Sequence, residues 1–279
     1  MIKPVLQNDA FLEDVLRAKK DPSRLHLWWL GQSGYLIQWQ GRHLLLDPYL
    51  SDSLTRKYAN TNKLHVRMTE RVIAPGQLDF VDVVTSSHNH TDHLDGETLI
   101  SLCKVNPTLT VIVPRANIYF AAERLQISPE RLTPIRVDDA PLVVTPFSFE
   151  AIPSAHESLE QDEHEDHRFI GLVIKIGNWT IYHGGDCVPY DGLAQRLKHR
   201  KIDIALLPIN GRDSARGVAG NFNSVEAVAL AKEIGIGLVI PCHYEMFEFN
   251  TVSPENFVQK ARESNQPYRV LKCGERADL

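Results

Sequence analysis

The spacing of apolar and polar positions predicts strands and helices in alternation. An amphipathic pattern predicts a helix over about residues 8–20, ended by Asp21-Pro22. Strand-like runs follow at 25–30, 34–40 and 42–46, separated by Gly31-Gln32-Ser33 and by a turn at Gly41. Residues 51–79 have weak periodicity and contain Pro75-Gly76, so a long irregular excursion is expected there.

The remainder of the chain returns to regular patterns. Strands are expected at 81–85, 110–114, 135–137, 142–153, 169–176, 179–183, 202–208, 238–241 and 268–272. Helices are expected at 94–105, with Thr91 and Asp92 as caps, and at 115–125, 193–200, 224–234 and 254–263. Such alternation predicts an α/β class with helices on the outer faces of sheets, and without a visible linker we expect one domain over 1–279.

The amino-acid composition argues against several classes of function. With 43% hydrophobic residues the chain can bury a full core, and a net charge of −5 argues against a nucleic-acid groove. A membrane span is not expected, because no run of about 18 apolar residues occurs. The N-terminus does not resemble a signal peptide, and the four cysteines are far apart without a C-x-x-C pair, so we expect a cytoplasmic protein. The oligomeric state is left open, a homo-oligomer included.

The densest chemical signal follows the strand at 81–85. His88 and His90 are two residues apart, so in an extended segment both imidazoles leave the same face and can point at one ion. Asp92 and His93 come directly afterwards. Four ligand-type residues within six positions are rare by chance, and they predict a metal site.

This H-x-H-x-D-H stretch resembles the metallo-β-lactamase superfamily. The resemblance implies a four-layer αββα sandwich of two mixed sheets with helices outside and a metal site at one edge. It also requires a later His, Asp and His, each at a strand end, and His156, Asp186 and His243 occur in that order. The implied ligands are His88, His90 and His156 for one ion and Asp92, His93 and His243 for the other, with Asp186 between them.

Further roles follow from the same resemblance. Asp47, after an apolar strand, would support the metal-binding loop from behind the ligands, and His183 is a second candidate for such a position. Cys187 adjoins Asp186 at one strand end, and the Gly184-Gly185-Asp186 pattern favours the carboxylate as the bridging group. Asp92 and Asp186 are the expected catalytic residues, with Asp92 orienting the nucleophile and accepting its proton.

Imidazole and carboxylate ligands suit one or two ions of Mn²⁺, Zn²⁺ or Fe²⁺. Metal binding lowers the pKa of coordinated water, so a metal-bound hydroxide becomes available for hydrolysis. Trp28-Trp29-Leu30-Gly31-Gln32-Ser33-Gly34 is similar to the opening hairpin of L-ascorbate-6-phosphate lactonases, which implies a lactonase for a small anionic sugar lactone and points towards Mn²⁺.

The sequence indicates the substrate-binding residues less clearly than the metal ligands. The candidates are Tyr49, Asn210, Arg212, Arg216 and Tyr244, and Arg212 is expected to grip an anionic group. The acidic segment 157–166 is either a solvated loop or a mobile lid. The alternatives to a lactonase are a phosphodiesterase similar to N-acyl phosphatidylethanolamine-hydrolysing enzymes and a non-catalytic metal-binding or sensing module.

Overall fold

The computed structural model describes residues 1–279, without the side chain of Ser214. Within this described part, thirteen strands form two sheets. The strands are β1 (His26–Gly31), β2 (Gly34–Trp39), β3 (Arg42–Leu46), β4 (Val83–Thr85), β5 (Thr110–Pro114), β6 (Leu132–Ile135), β7 (Leu142–Val144), β8 (Phe147–Pro153), β9 (Ile170–Ile176), β10 (Trp179–His183), β11 (Ile204–Pro208), β12 (Leu238–Cys242) and β13 (Arg276–Asp278).

The α-helices lie between these strands or beside them. They are α1 (Asp9–Ala18), α2 (Ser53–Lys57), α3 (Gly96–Val105), α4 (Ile118–Leu125), α5 (Leu193–Lys198), α6 (Ser224–Ile234) and α7 (Glu255–Glu263). Helix α4 contacts β5 and β6 of one sheet, and α6 contacts β11 of the other. Across the described residues, no helix combines the length and the apolar character needed to cross a membrane.

Both sheets are mixed. The first has the order β13-β1-β2-β3-β4-β5-β6, antiparallel from β13 to β3 and parallel from β3 to β6. The second has the order β12-β11-β10-β9-β8-β7, parallel from β12 to β10 and antiparallel beyond. One continuous cluster of buried apolar side chains includes residues of both sheets. The expected fold class, α/β with two mixed sheets and helices, is confirmed.

This topology gathers several strand ends at one edge. Strands β3 and β4 are parallel neighbours, and β8 runs in the same direction as β10 because each is antiparallel to β9. Strand β12 is parallel to β10 through β11. The residues that follow β4, β8, β10 and β12 therefore come together across the two sheets, where the ligand-type side chains are found.

The predicted start of one helix was wrong at a point that affects the site. Helix α3 begins at Gly96, because Asp95 is its N-cap and accepts a hydrogen bond from Thr98 N at 3.2 Å. Thr91 and Asp92 thus do not cap it, and the Asp92 carboxylate stays available to the cleft described below. A cap at Asp95 ends the metal-binding loop two residues later than the sequence pattern suggested.

The last strand was also misplaced. Residues 268–272 make only an isolated bridge from Tyr268 to Val239, whereas β13 pairs with β1 at the other sheet. The segment must cross from the edge at β12 to the edge at β1, so it cannot stay paired with β12. Strand β13 holds a single apolar residue, Ala277, and therefore gave no alternation to detect.

Gly274 and Gly235 form a matched pair for testing backbone contacts. Both have a positive φ, +78° and +74°, which disfavours any side chain. A Cβ at Gly274 would lie 2.4 Å from the main-chain oxygen of Leu6, whereas one at Gly235 would meet nothing within 4 Å. We expect Gly274→Ala to lower the free energy of unfolding by about 1–3 kcal/mol more than Gly235→Ala does, measured by urea denaturation. Equal losses would mean that the segment at Leu6 moves aside freely.

Candidate metal centre

Seven side chains converge at the shared edge of the two sheets. They form two groups, and within each group the potential ligand atoms all lie within 4.8 Å of one another. The first group is His88, His90, His156 and Asp186, and the second is Asp92, His93, Asp186 and His243. The structure therefore places the residues of the expected ligand set in two clusters that can bind metal ions.

Asp186 faces both groups with different oxygens. Its Oδ1 lies 3.2 Å from Nε2 of His93 and 3.2 Å from Nε2 of His243, whereas Oδ2 lies 3.5 Å from Nε2 of His156. Gly185 makes this approach possible, because its φ is +57° and a Cβ there would lie 2.8 Å from the side chain of Ser87. The glycine thus lets the end of β10 come close to the loop after β4.

Buried polar atoms without a hydrogen-bond partner indicate whether these residues suit a bound cation. Within the described residues, His88 Nε2, His93 Nε2 and Asp186 Oδ1 are buried and have no hydrogen-bond partner. Buried polar atoms are rarely left unpartnered in folded proteins. His88 belongs to the first group, His93 to the second, and Asp186 to both. Imidazole with carboxylate is a donor set that divalent ions accept, so the unpartnered atoms fit an ion in either group.

In three of the histidines, the Nδ1 atom makes a hydrogen bond on the side of the ring away from the centre. His93 Nδ1 lies 2.7 Å from Asp47 Oδ2, His156 Nδ1 lies 2.8 Å from the main-chain oxygen of Gly220, and His88 Nδ1 lies 3.0 Å from Ser87 Oγ. Such contacts select the tautomer and the ring orientation of a ligand histidine. They leave the Nε2 atoms directed at the centre.

Asp47 ties the loop to the first sheet. Its carboxylate is fully buried and accepts hydrogen bonds from Ser87 N at 3.0 Å, from Thr85 Oγ1 at 3.3 Å and from Ser87 Oγ. His183 lies farther back, where its ring contacts Tyr35 and its Nε2 lies 3.1 Å from the oxygen of Ser33. Of the two residues expected behind the ligands, only Asp47 hydrogen bonds a ligand residue.

The charges differ between the two groups. Burial lowers the pKa of His88 well below its ordinary value and lowers the pKa of His90 to about 4, so both imidazoles are neutral at neutral pH. Burial would also lower the pKa of His93, but the carboxylates of Asp186 and Asp92 outweigh it and raise that pKa well above its ordinary value. Because metal ligands must be deprotonated, ion binding at the second group would displace a proton from His93.

Two residues that the sequence did not single out support the ligands. The ring of Phe169 lies 5.0, 5.7 and 5.7 Å, between centroids, from those of His88, His90 and His156. Phe169 thus packs against all three imidazoles of the first group. It had no distinguishing signal, because an aromatic residue at the start of an apolar strand is ordinary.

Arg124 is the other missed residue. Its Nη1 donates hydrogen bonds to the main-chain oxygens of Asn89, at 2.6 Å, and Leu94, at 3.2 Å. Its guanidinium also lies over the ring of Phe120, 4.4 Å from the centroid. Arg124 therefore joins α4 to both ends of the loop that carries His90, Asp92 and His93.

A cleft of about 440 Å³ opens over the two groups. His90, Asp92, His156, Asp186 and His243 form part of its lining. Its other walls are Gln32, Leu54, Lys57, Tyr58, His65, Asn89, Thr91, Phe120, Arg124, Val218, Ala219, Phe247 and Asn250. Four of these lining residues, from Leu54 to His65, come from segment 51–79, which was expected to be irregular but contains α2.

The five residues expected to contact substrate are absent from this described lining. Tyr49 is buried and its hydroxyl accepts from Leu54 N, while the Tyr244 hydroxyl donates to the oxygen of Leu271. Asn210 lies behind the wall and donates to Asn250 Oδ1 at 2.9 Å. The geometry gives their assignment to substrate binding no support.

The two arginines of this set are engaged elsewhere. Arg212 forms a two-pronged contact with Glu226 of α6, with Nη1 2.9 Å from Oε2. Arg216 donates to the oxygen of Asn210 at 2.9 Å and to Asn250. The sequence suggested a free guanidinium at 212 because its partner stands fourteen positions away.

Cys187 turns away from the centre. Its thiol is buried and donates to the oxygen of Val188 at 3.2 Å, and burial raises its pKa to about 11. A thiol with a raised pKa is a poor ligand at neutral pH, because the thiolate is the form that binds metal. Of the two neighbours at this strand end, Asp186 is the one that faces the ligand groups.

Comparison with protein families gives a match over most of the chain. The model of the family described as "Beta-lactamase superfamily domain" matches residues 42–244, which include Asp47 and all seven ligand-type residues. The match thus spans β3 to β12 and the whole candidate centre.

Individual relatives are more distant. A "UPF0173 metal-dependent hydrolase" of Sulfurisphaera tokodaii is 25% identical over 258 residues, covering 91% of this chain and 99% of the relative. A protein of the same description from Anoxybacillus flavithermus is 26% identical, covering 91% and 100%.

Solved structures share the fold at lower identity. A possible metal-dependent hydrolase from Veillonella parvula has a TM-score of 0.73 at 15% identity, covering 92% of this chain and 100% of its own. An isothiocyanate hydrolase from Delia radicum gut bacteria has a TM-score of 0.70 at 18% identity, covering 91% and 99%. Likeness at this identity shows a common fold only.

The two ligand groups predict separable metal losses. His90→Ala and His243→Ala should each lower the bound metal, because each removes a ligand from a different group. Elemental analysis after loading with Mn²⁺ or Zn²⁺ and desalting measures this. The control is His164→Ala, whose exposed side chain lies outside both groups and should leave the content unchanged. Full content in both ligand variants would contradict the two-group assignment.

Proposed function

The chain belongs to the beta-lactamase superfamily, and we propose that it is a metal-dependent hydrolase, acting as a lactonase on a small anionic sugar lactone. The observation that carries the proposal is the pair of ligand groups sharing Asp186 at the floor of one cleft. The relatives described as metal-dependent hydrolases support the hydrolase assignment, and the lactone substrate is the finer part of the proposal. A cleft of about 440 Å³ suits a small molecule.

The proposed ligands are those of the two groups. An ion bound there would supply Lewis-acid activation of water at neutral pH and would polarise the substrate's carbonyl or phosphoryl oxygen. Mn²⁺, Zn²⁺ and Fe²⁺ all suit the donors.

Asp92 is the proposed proton acceptor. Its carboxylate lines the cleft, and its Oδ2 lies 2.8 Å from Gln32 Nε2. Burial opposes its ionisation, yet His93 keeps the pKa of Asp92 below its ordinary value. The carboxylate is therefore ionised at neutral pH and can take a proton from an attacking water. Asp186 would hold the two halves of the centre at a fixed separation.

Two cationic side chains favour an anionic substrate. Lys57 is exposed at the cleft wall, with Nζ 3.3 Å from Thr91 Oγ1 and 5.3 Å from the ring centroid of Tyr58. Arg124 of α4 also lines the cleft, and in the described part of the chain its Nε and Nη2 have no hydrogen-bond partner. These donors could bind a phosphate or carboxylate remote from the reacting carbonyl.

The function is tested by supplying ions and substrates separately. Metal-free protein is given Mn²⁺, Zn²⁺ or Fe²⁺ and is assayed against lactones, phosphodiesters and thioesters. Fastest hydrolysis of a phosphorylated or carboxylated lactone is the expected result. Preference for a phosphodiester would favour the alternative enzyme class. No hydrolysis with any ion, together with full metal binding, would indicate a binding or sensing module.

Lys57 gives a selective prediction. Lys57→Met should lower kcat/KM for a phosphorylated lactone about tenfold, since losing one hydrogen bond to a charged group costs roughly 1.5 kcal/mol. A neutral lactone of the same ring size should react at nearly the parent rate, because the ligand groups are untouched. Lys198→Met, at an exposed position of α5, is the matched control. Equal losses on both lactones would assign Lys57 a structural role.

A further inference from the structure

Gln32 lies in the turn between β1 and β2, and the turn is fixed to the candidate centre. Its main-chain oxygen is 3.0 Å from the indole nitrogen of Trp29 and 3.1 Å from the main-chain nitrogen of His243, and accepts a hydrogen bond from each. Its φ is +52°, a conformation that a residue other than glycine adopts at a cost. The backbone therefore holds this side chain at a set position beside a ligand histidine.

The side-chain amide reaches the ligand atoms themselves. The terminal nitrogen of Gln32 is 2.8 Å from Asp92 Oδ2 and 3.2 Å from His243 Nε2, and the residue is 4% exposed. Ligand atoms that share an ion at bond lengths near 2.1 Å lie roughly 3.0–3.4 Å from one another. The separation from His243 Nε2, 3.2 Å, lies in this range, and the separation from Asp92 Oδ2, 2.8 Å, is slightly shorter. The end of the amide thus lies close to where a further ligand atom would lie.

The direction of the amide dipole decides which end faces an ion. The NH₂ group now donates to the Asp92 carboxylate and to the imidazole of His243. A cation bound by those two side chains would attract their lone pairs and repel an N–H aimed at the same point. A half turn about the last side-chain bond exchanges Nε2 and Oε1 without changing the reach of Gln32.

We propose that Oε1 of Gln32 is an additional ligand of the ion held by the second group. This inference rests on the proposed function and deepens it. With the oxygens of Asp92 and Asp186 and the nitrogens of His93 and His243, the group then offers three oxygen and two nitrogen donors. Carboxylate and carbonyl oxygens suit Mn²⁺, whereas a closed set of four ligands suits Zn²⁺. Gln32 thereby favours Mn²⁺ over Zn²⁺ at this group.

Three variants separate ligation from support of the turn. Gln32→Asn keeps an amide and tolerates the positive φ, but it withdraws the oxygen by one methylene. Gln32→Glu keeps the length of the side chain, and both of its terminal atoms are oxygens. Ser33→Ala alters the same turn at a hydroxyl that approaches Cys242 Sγ, at 4.0 Å, and no ligand.

The measurements are competitive titrations of metal-free protein with Mn²⁺ and Zn²⁺ and the visible absorption of the Co²⁺-loaded protein. Gln32→Asn should weaken Mn²⁺ binding at the second group by about 10- to 100-fold and Zn²⁺ binding by less. Its Co²⁺ bands should intensify, because fewer ligands remain. Gln32→Glu should retain Mn²⁺ binding, and Ser33→Ala should match the parent protein.

Two results would overturn the assignment. One is unchanged Mn²⁺ affinity in Gln32→Asn. The other is equal weakening of both ions with an unchanged Co²⁺ spectrum, which would make Gln32 only a hydrogen-bond donor to Asp92. Failure of the parent protein to bind either ion would instead overturn the proposed function, so the two failures are distinguishable.

Discussion

The candidate centre depends on one buried carboxylate. Asp47 has no exposed surface, and it receives hydrogen bonds from the main chain of Ser87, from two hydroxyls and from the ring of His93. An ionised carboxylate left without such partners in the interior costs several kcal/mol. Loop conformations that fail to bring these donors to Asp47 are therefore disfavoured. The same contacts aim the free nitrogen of His93 at the second group.

Three residues at the shared edge of the sheets have a strained backbone conformation. Asp47, Gln32 and His243 have φ values of +38°, +52° and +69°, and each lies directly after a strand or in a turn between strands at the shared edge. Such conformations cost of order 1–3 kcal/mol each and persist where surrounding contacts determine them. Here the hydrogen bonds of the Asp47 carboxylate and the bond from His243 N to the Gln32 oxygen hold them. These three strained residues thus carry side chains that the candidate centre uses.

The sequence allowed the sheets with their outer helices and the order of the ligand-type residues to be predicted, because both depend on local sequence patterns. Alternating apolar positions placed most strands within two residues, and the residues of the H-x-H-x-D-H stretch are neighbours in the chain. The residues that line the cleft could not be predicted from the sequence, for a physical reason. Lys57 lies in an excursion without periodicity, and Arg124 looks like any half-exposed helix residue. Arg212 was misjudged because Glu226 neutralises it only once α6 is in place.

The division of ligands between the sheets couples the centre to the packing of the whole molecule. The H-x-H-x-D-H loop leaves the first sheet after β4, whereas His156, Asp186 and His243 leave the second after β8, β10 and β12. An ion bound by residues of both would link the two sheets, and its binding free energy would add to the stability of the folded state alone. The cluster of imidazoles and carboxylates, costly to bury by itself, would then become a connection between the layers.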